Sequence, residues 1–164
     1  MMRKAVFLLV LLGLAAPVAA QRQSLGIFQQ WGSFEEREPR RCFAIAEPTR
    51  SPRALDWKPF ASVSYWPERG VRGQVHFRLS RVKRDGSAVL LKIDGRPFQL
   101  LAGGMDAWAP DPRGDAEIVA AMRGGIDMVV ETRSQRGNLV RDYYQLRGAA
   151  TAIDASALAC AANR

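Results

Sequence analysis

The chain holds a single histidine, His76. Any serine-type hydrolase built here must use that ring as its base, with Ser80 or Ser64 as the nucleophile. No GxSxG elbow is present. No neighbouring carboxylate in the sequence is set to orient the ring, so His76 reads as a solvated strand histidine. A second group, Asp106, Asp111 and Asp115, flanks Trp108 in a stretch rich in glycine and proline. Two acids beside an aromatic platform are the parts of a carbohydrate-active site. Aspartate also gathers in loops because it suits turns and helix caps, and that plainer reading is preferred. Two cysteines and one histidine, without CxxC or HxxxH spacing, do not make a zinc site. The acidic run does not match a spaced calcium loop. No metal and no cofactor is expected. The third candidate is basic: Arg69, Arg72, Arg78, Arg81, Lys83 and Arg84 cluster in sequence. Arg72, His76 and Arg78 share the polar side of one alternating strand, a candidate face for an anionic polymer. A solvated face balanced by nearby acids is the alternative.

Cys42 and Cys160 bear on where the protein works. The chain opens with Arg3 and Lys4, an apolar run from Ala5 to Ala16, a helix-breaking Pro17 and the small residues Val18-Ala19-Ala20. This is the three-part pattern of a secretory signal over residues 1–20. The run is shorter than the roughly 20 apolar residues a membrane helix needs. Processing would leave 144 residues from Gln21, enough for one domain with a sizeable core. In an oxidising compartment an even cysteine count reads as a bridge, here Cys42 to Cys160. The expected setting is periplasmic or secreted, with no membrane span after cleavage. The processed chain would carry a net charge of +6, nearly all of it arginine. Arginine grips carboxylate and phosphate with two N–H groups at once. Outside the cytoplasm the anionic partners are envelope polymers, acidic glycans or lipids, and no nucleic-acid partner is expected.

These residues need a scaffold, and the patterning predicts a mainly β one. Strands are expected at Cys42–Ala46, Phe60–Trp66, Val71–Ser80, Ala88–Ile93, Phe98–Leu101, Ile126–Thr132 and Leu139–Leu146. Val71–Ser80 alternates most clearly, with Val75, Phe77 and Leu79 opposite Arg72, Gln74, His76 and Arg78. Asp94-Gly95 signals a tight hairpin. Residues 21–41 read as polar with apolar anchors and a charged stretch, Glu47–Pro59 as a proline-rich loop, and the surroundings of Trp108 as irregular. Asp115–Arg123 reads as a short helix capped by Asp115 and stopped by Gly124-Gly125, and Asp154 as the cap of an alanine-rich helix carrying Cys160. One of Tyr143 and Tyr144 should be buried and the other exposed. Seven or eight short antiparallel strands with two short helices suggest a single β-sandwich over residues 21–164.

The order of these pieces resembles the invasion-associated locus B family of exported bacterial proteins. Trp31-Gly32 precedes Cys42-Phe43-Ala44, and Tyr144-Gln145-Leu146-Arg147-Gly148-Ala149 leads to Ala152-Ile153-Asp154-Ala155. The resemblance implies a periplasmic β-sandwich with no cofactor and no assigned catalysis. The extra mid-chain cysteines often seen in that family are missing. The expected function is a non-enzymatic envelope module that binds an envelope or host protein, or an anionic envelope polymer. The alternative is a small exported hydrolase acting on glycan or peptidoglycan.

Overall fold

The computed structural model describes residues 22–52 and 57–161. The expected signal segment, residues 1–20, lies outside the described residues, as does part of the Glu47–Pro59 segment. The chain is mainly β. The described residues form ten strands and two α-helices: β1 (Arg22–Phe28), β2 (Trp31–Arg37), β3 (Arg40–Ala46), β4 (Phe60–Trp66), β5 (Val71–Arg78), β6 (Val89–Ile93), β7 (Arg96–Gly103), β8 (Asp106–Trp108), α1 (Pro112–Gly124), β9 (Asp127–Arg133), β10 (Leu139–Gln145) and α2 (Ala149–Ala161). They form one antiparallel sheet in the order β1-β2-β3-β4-β5-β8-β7-β6-β9-β10. This corrects the expected count of seven or eight strands, and the expected pair of separate sheets.

Three additions account for the difference. The charged stretch Glu35–Arg41 forms a hairpin. Its acids and bases face each other across the turn: Glu36 meets Arg41 and Glu35 meets Arg40. Opposite charges on paired strands favour that register. β1 then adds to the far edge of β2, where Arg22 also reaches Glu36. Trp108 lies in a short strand, β8, because Asp106–Trp108 pairs with β5 on one side and β7 on the other.

The sheet rolls over itself at β7. The first half of β7 pairs with β6 and the second half with β8. In a flat sheet β5 and β10 would stand five spacings apart, about 24 Å. Instead the Phe77 and Tyr144 rings lie 6.5 Å apart, centre to centre. Trp31 Nε1 of β2 donates to the Gln145 carbonyl at the end of β10, 2.9 Å away. The fold encloses a core of Trp31, Phe77, Leu79, Leu91, Met128 and Tyr144. Tyr144 is buried and Tyr143 half-buried. Burial pushes the Tyr144 phenol well above its ordinary range. The Asp94-Gly95 hairpin forms as expected, with both residues at positive φ (47° and 85°) and Ile93 paired to Arg96.

Both helices pack from the inner side. α2 buries Ala149, Ala152, Ile153 and Ser156, and its small side chains allow close approach to β2 and β3. Ser33 and Ser156 share a buried hydrogen bond of 2.6 Å, and Arg40 Nη2 donates to the Ala159 carbonyl. Cys42 and Cys160 are joined by a disulfide, with Cα atoms 5.7 Å apart and a sequence separation of 118. Helix α2 begins before Asp154, which therefore sits inside the helix and pairs with Arg123 instead of capping. Asp111, not Asp115, caps α1: its carboxylate accepts from Gly114 N. Asp115 takes a different post, described below. Among the described residues no helix is long and apolar enough to cross a membrane.

Candidate functional site

Directly paired residues of adjacent strands point to the same side of a sheet. Cys42 on β3 points to α2, so Phe43 beside it points away. Following the register outward from Phe43 defines an outer face on the side opposite the helices. One row of cross-strand neighbours spans seven strands there: Ile27, Gly32, Ile45, Ser62, His76, Trp108 and Leu101.

His76 makes the most side-chain contacts described along this row. Its Nε2 lies 2.9 Å from Asp106 Oδ1. Its ring stacks on Trp108, with centroids 5.1 Å apart and planes 8° from parallel, and takes Phe60 edge-on at 5.2 Å. Arg78 Nε approaches the same Asp106 oxygen at 2.9 Å as an ion pair without hydrogen-bond alignment, and its Nη1 donates to Met105 Sδ. The orienting carboxylate absent from the sequence neighbourhood of His76 is therefore supplied by β8, thirty residues away. The nearest hydroxyl across the ladder, Ser62, gives its proton to the backbone carbonyl of His76 and not to the ring. Ser64 lies one strand over, opposite Gln74, and Ser80 is buried beside β10. Among these three serines none stands against the ring as a nucleophile.

The three residues expected to form an anion-binding face do not share one. A β-bulge at Gly73, which has φ +81°, places one extra residue in β5. The bulge reverses the alternation. Arg72 stands opposite Tyr65 and lines a cleft with Ala157, Cys160 and Ala161 of α2. His76 and Arg78 remain on the outer face, and Arg78 is neutralised by Asp106. At the bulge the edge of β5 has no strand partner, because β8 pairs only with residues 76–78. Asp115 fills that place by accepting from Val75 N at 2.8 Å. Burial raises its carboxyl above the usual range, against the lowering effect of the Val75 N–H.

A second part of the outer face was not visible in sequence. Arg22 lies over Phe34 and Phe43, Arg41 over Phe43 and Trp66, and Arg69 over Trp66, at 4.2–5.9 Å from the ring centres. Such stacks each contribute about 0.5–1 kcal/mol at exposed sites. Glu36 neutralises Arg22 and Arg41. The signal for this ladder was the acid-then-base order of Glu35-Glu36-Arg37-Glu38-Pro39-Arg40-Arg41, which encodes the hairpin that assembles it.

The outer face thus combines fixed arginine–aromatic stacks with exposed apolar side chains: Ile27 is 67% exposed, Leu101 58% and Trp108 37%. Among the described residues no group of three or more His, Cys, Asp or Glu side chains is placed to hold a metal ion. Neither His76 nor Asp106 lines the clefts beside Tyr143, Trp57, Arg72 or Leu90. No protein-family model, curated protein or solved structure matches the chain.

Proposed function

We propose that the chain is an exported, non-enzymatic binding module that engages an envelope or host protein through the outer face of its sheet. The observation that carries this reading is the registered row from Ile27 to Leu101, seven strands wide, with apolar side chains exposed at both ends and at Trp108. Isolated exposed apolar residues are ordinary; three on one face of a sheet, beside arginine–aromatic stacks, are the composition of an interface. The rolled sheet acts as the two layers of a sandwich, with β6, β9 and β10 facing β1–β5 across the core. The disulfide and the secretory pattern of residues 1–20 support a periplasmic or secreted setting. The resemblance to invasion-associated locus B proteins supports the same role, and contact with a host cell belongs to this proposal.

A hydrolase reading has one specific point in its favour, the His76–Asp106 hydrogen bond. It lacks the rest. The ring is stacked on Trp108 and met edge-on by Phe60, and Ser62 is turned to a carbonyl. A histidine held this way positions Trp108.

The test uses the processed, oxidised protein. Wild type and an Ile27→Asp/Leu101→Asp variant are immobilised and exposed to envelope extract, with retained proteins quantified. A protein held by wild type and lost from the variant is the expected result. Equal retention by both rules out the outer face. Turnover of peptidoglycan by wild type above a His76→Ala background would replace the binding reading with the hydrolase one.

A further inference from the structure

Backbone hydrogen bonds lay Thr49 and Arg50 along the outer edge of β10. Thr49 N donates to the Tyr143 carbonyl at 2.7 Å, and Tyr143 N donates to the Arg50 carbonyl at 2.9 Å. The Thr49 hydroxyl donates to the same Tyr143 oxygen. Tyr144 is buried in the core, so Tyr143 beside it points outward. Lys92, Val129, Tyr143 and Arg50 are thus cross-strand neighbours on the outside of the β6–β9–β10 layer. The next row holds Asp94, Asp127 and Gln145. These two rows line a groove of about 520 Å³, a volume in the range of small-ligand sites. None of its strands carries the row from Ile27 to Leu101.

The groove carries opposite charges at its two ends. At one end the Arg50 guanidinium lies over the Tyr143 ring, 3.9 Å from its centre. Arginine stacks on aromatic faces through its plane and keeps its N–H edge for a carboxylate. At the other end the Asp94 carboxylate accepts from Ile126 N and Asp127 N, which fixes the backbone that presents the Asp127 side chain. Lys92, between the ends, is held by Glu131 at 2.7 Å. Arg50 and Asp127 each line the groove without an oppositely charged side chain in salt-bridge distance among the described residues. Because the guanidinium sits over Tyr143, one strand spacing and two residues separate it from Asp127, about 8 Å by sheet geometry.

We infer that this groove binds a short peptide by its two charged ends, the carboxylate on Arg50 and the ammonium on Asp127. An extended chain rises about 3.3–3.6 Å per residue, so the ends of a dipeptide or tripeptide stand about 7–10 Å apart. A free amino acid carries both charges on one carbon and is too short to join them. A purely anionic ligand would set its charge against Asp127, and a purely cationic one against Arg50, so the groove selects for both signs at this spacing. The Gln145 amide offers a donor and an acceptor, the two groups a peptide bond requires. Tyr143 and Val129 give an apolar floor for the side chain between the ends.

The experiment is calorimetric titration of the processed, oxidised protein with trialanine, N-acetyl-trialanine, trialanine amide and free alanine. Trialanine should bind with a Kd below about 1 mM. Each capped peptide should bind about tenfold or more weakly, the scale of a lost charge-assisted hydrogen bond, and alanine should not bind. Two variants separate the ends. Arg50→Gln should bind trialanine and its amide alike while still rejecting the acetylated peptide. Asp127→Asn should bind trialanine and the acetylated peptide alike while still rejecting the amide. Both side chains are exposed, so circular dichroism of each variant should match wild type. A merely structural role would weaken all the peptides together and leave the preference for free ends in place. No binding of trialanine, equal binding of the capped peptides, or variants without this crossed pattern each overturns the assignment. The inference does not depend on the outer-face reading: the Ile27→Asp/Leu101→Asp variant should retain full peptide binding.

Discussion

Opening the Cys42–Cys160 bridge should lower stability sharply without dismantling the sheet. The bridge spans 118 residues of sequence. In the chain-entropy account, cross-linking a loop of that length removes about 16 cal/mol/K from the unfolded ensemble, or roughly 4.9 kcal/mol at 25 °C. For a domain of this size each kcal/mol moves the melting temperature by about 2–4 °C, so a drop of roughly 10–20 °C is expected. The helix has other holds. Ile153 is fully buried, Ser33 bonds Ser156, and Arg40 bonds the Ala159 carbonyl. Far-UV circular dichroism at 25 °C should therefore keep its strand signal after reduction. The comparison is between reduced wild type and Cys42→Ala/Cys160→Ala, each melted thermally and in urea. Both should fall by similar amounts. Both should also show a larger urea m-value than the oxidised protein, because an uncrosslinked unfolded chain exposes more surface. A drop under about 5 °C in both samples, or an unchanged m-value, refutes the entropic reasoning. Loss of strand signal on reduction would mean that the bridge holds the sheet itself.

Two further perturbations test the packing around the roll. Asp142 is buried on β10, accepts from Ser80 N at 2.9 Å through one oxygen, and leaves the other without a partner. Burial raises its carboxyl above the usual range, against the lowering effects of the Ser80 hydroxyl and N–H and of Arg81. A raised folded-state value means that the native state holds the proton more tightly. Its contribution is thus complete below the unfolded value and is lost as pH rises through the folded one. Asp142→Asn should therefore be at least as stable as wild type at pH 7 and lose its advantage below pH 4, read by melting across pH. Asp142→Ala, which strands the Ser80 N–H, should cost about 1–3 kcal/mol below pH 4, where the native carboxyl is protonated, and less at pH 7. At Gly148, φ is +90° and an added Cβ would overlap the Phe28 carbonyl. Gly148→Ala should destabilise by about 3 kcal/mol or more in denaturant melts, since backbone on both sides blocks relief; a loss under about 1 kcal/mol would refute the close approach.

What the sequence carried and what it hid divide along the range of the interactions. Alternation found the strands from Phe60 to Trp66 and from Val71 onward, and Asp94-Gly95 found its hairpin, because each is decided within a few residues. The compartment argument found the disulfide because it rests on counting. His76 looked solitary because Asp106 reaches it only through the pairing of β8 with β5. Period-2 reasoning put Arg72 with Arg78, and one positive-φ residue, Gly73, separated them. Glycine at that place reads as a neutral member of the apolar side, yet it is the only residue type that adopts such a φ without cost. The roll at β7 is likewise non-local: nothing in Arg96–Gly103 tells that its halves serve different neighbours. The basic run follows the same logic. Lys83 and Arg84 were visible as a basic run, but Arg133 and Arg136 join them only through the backbone bonds between two turns.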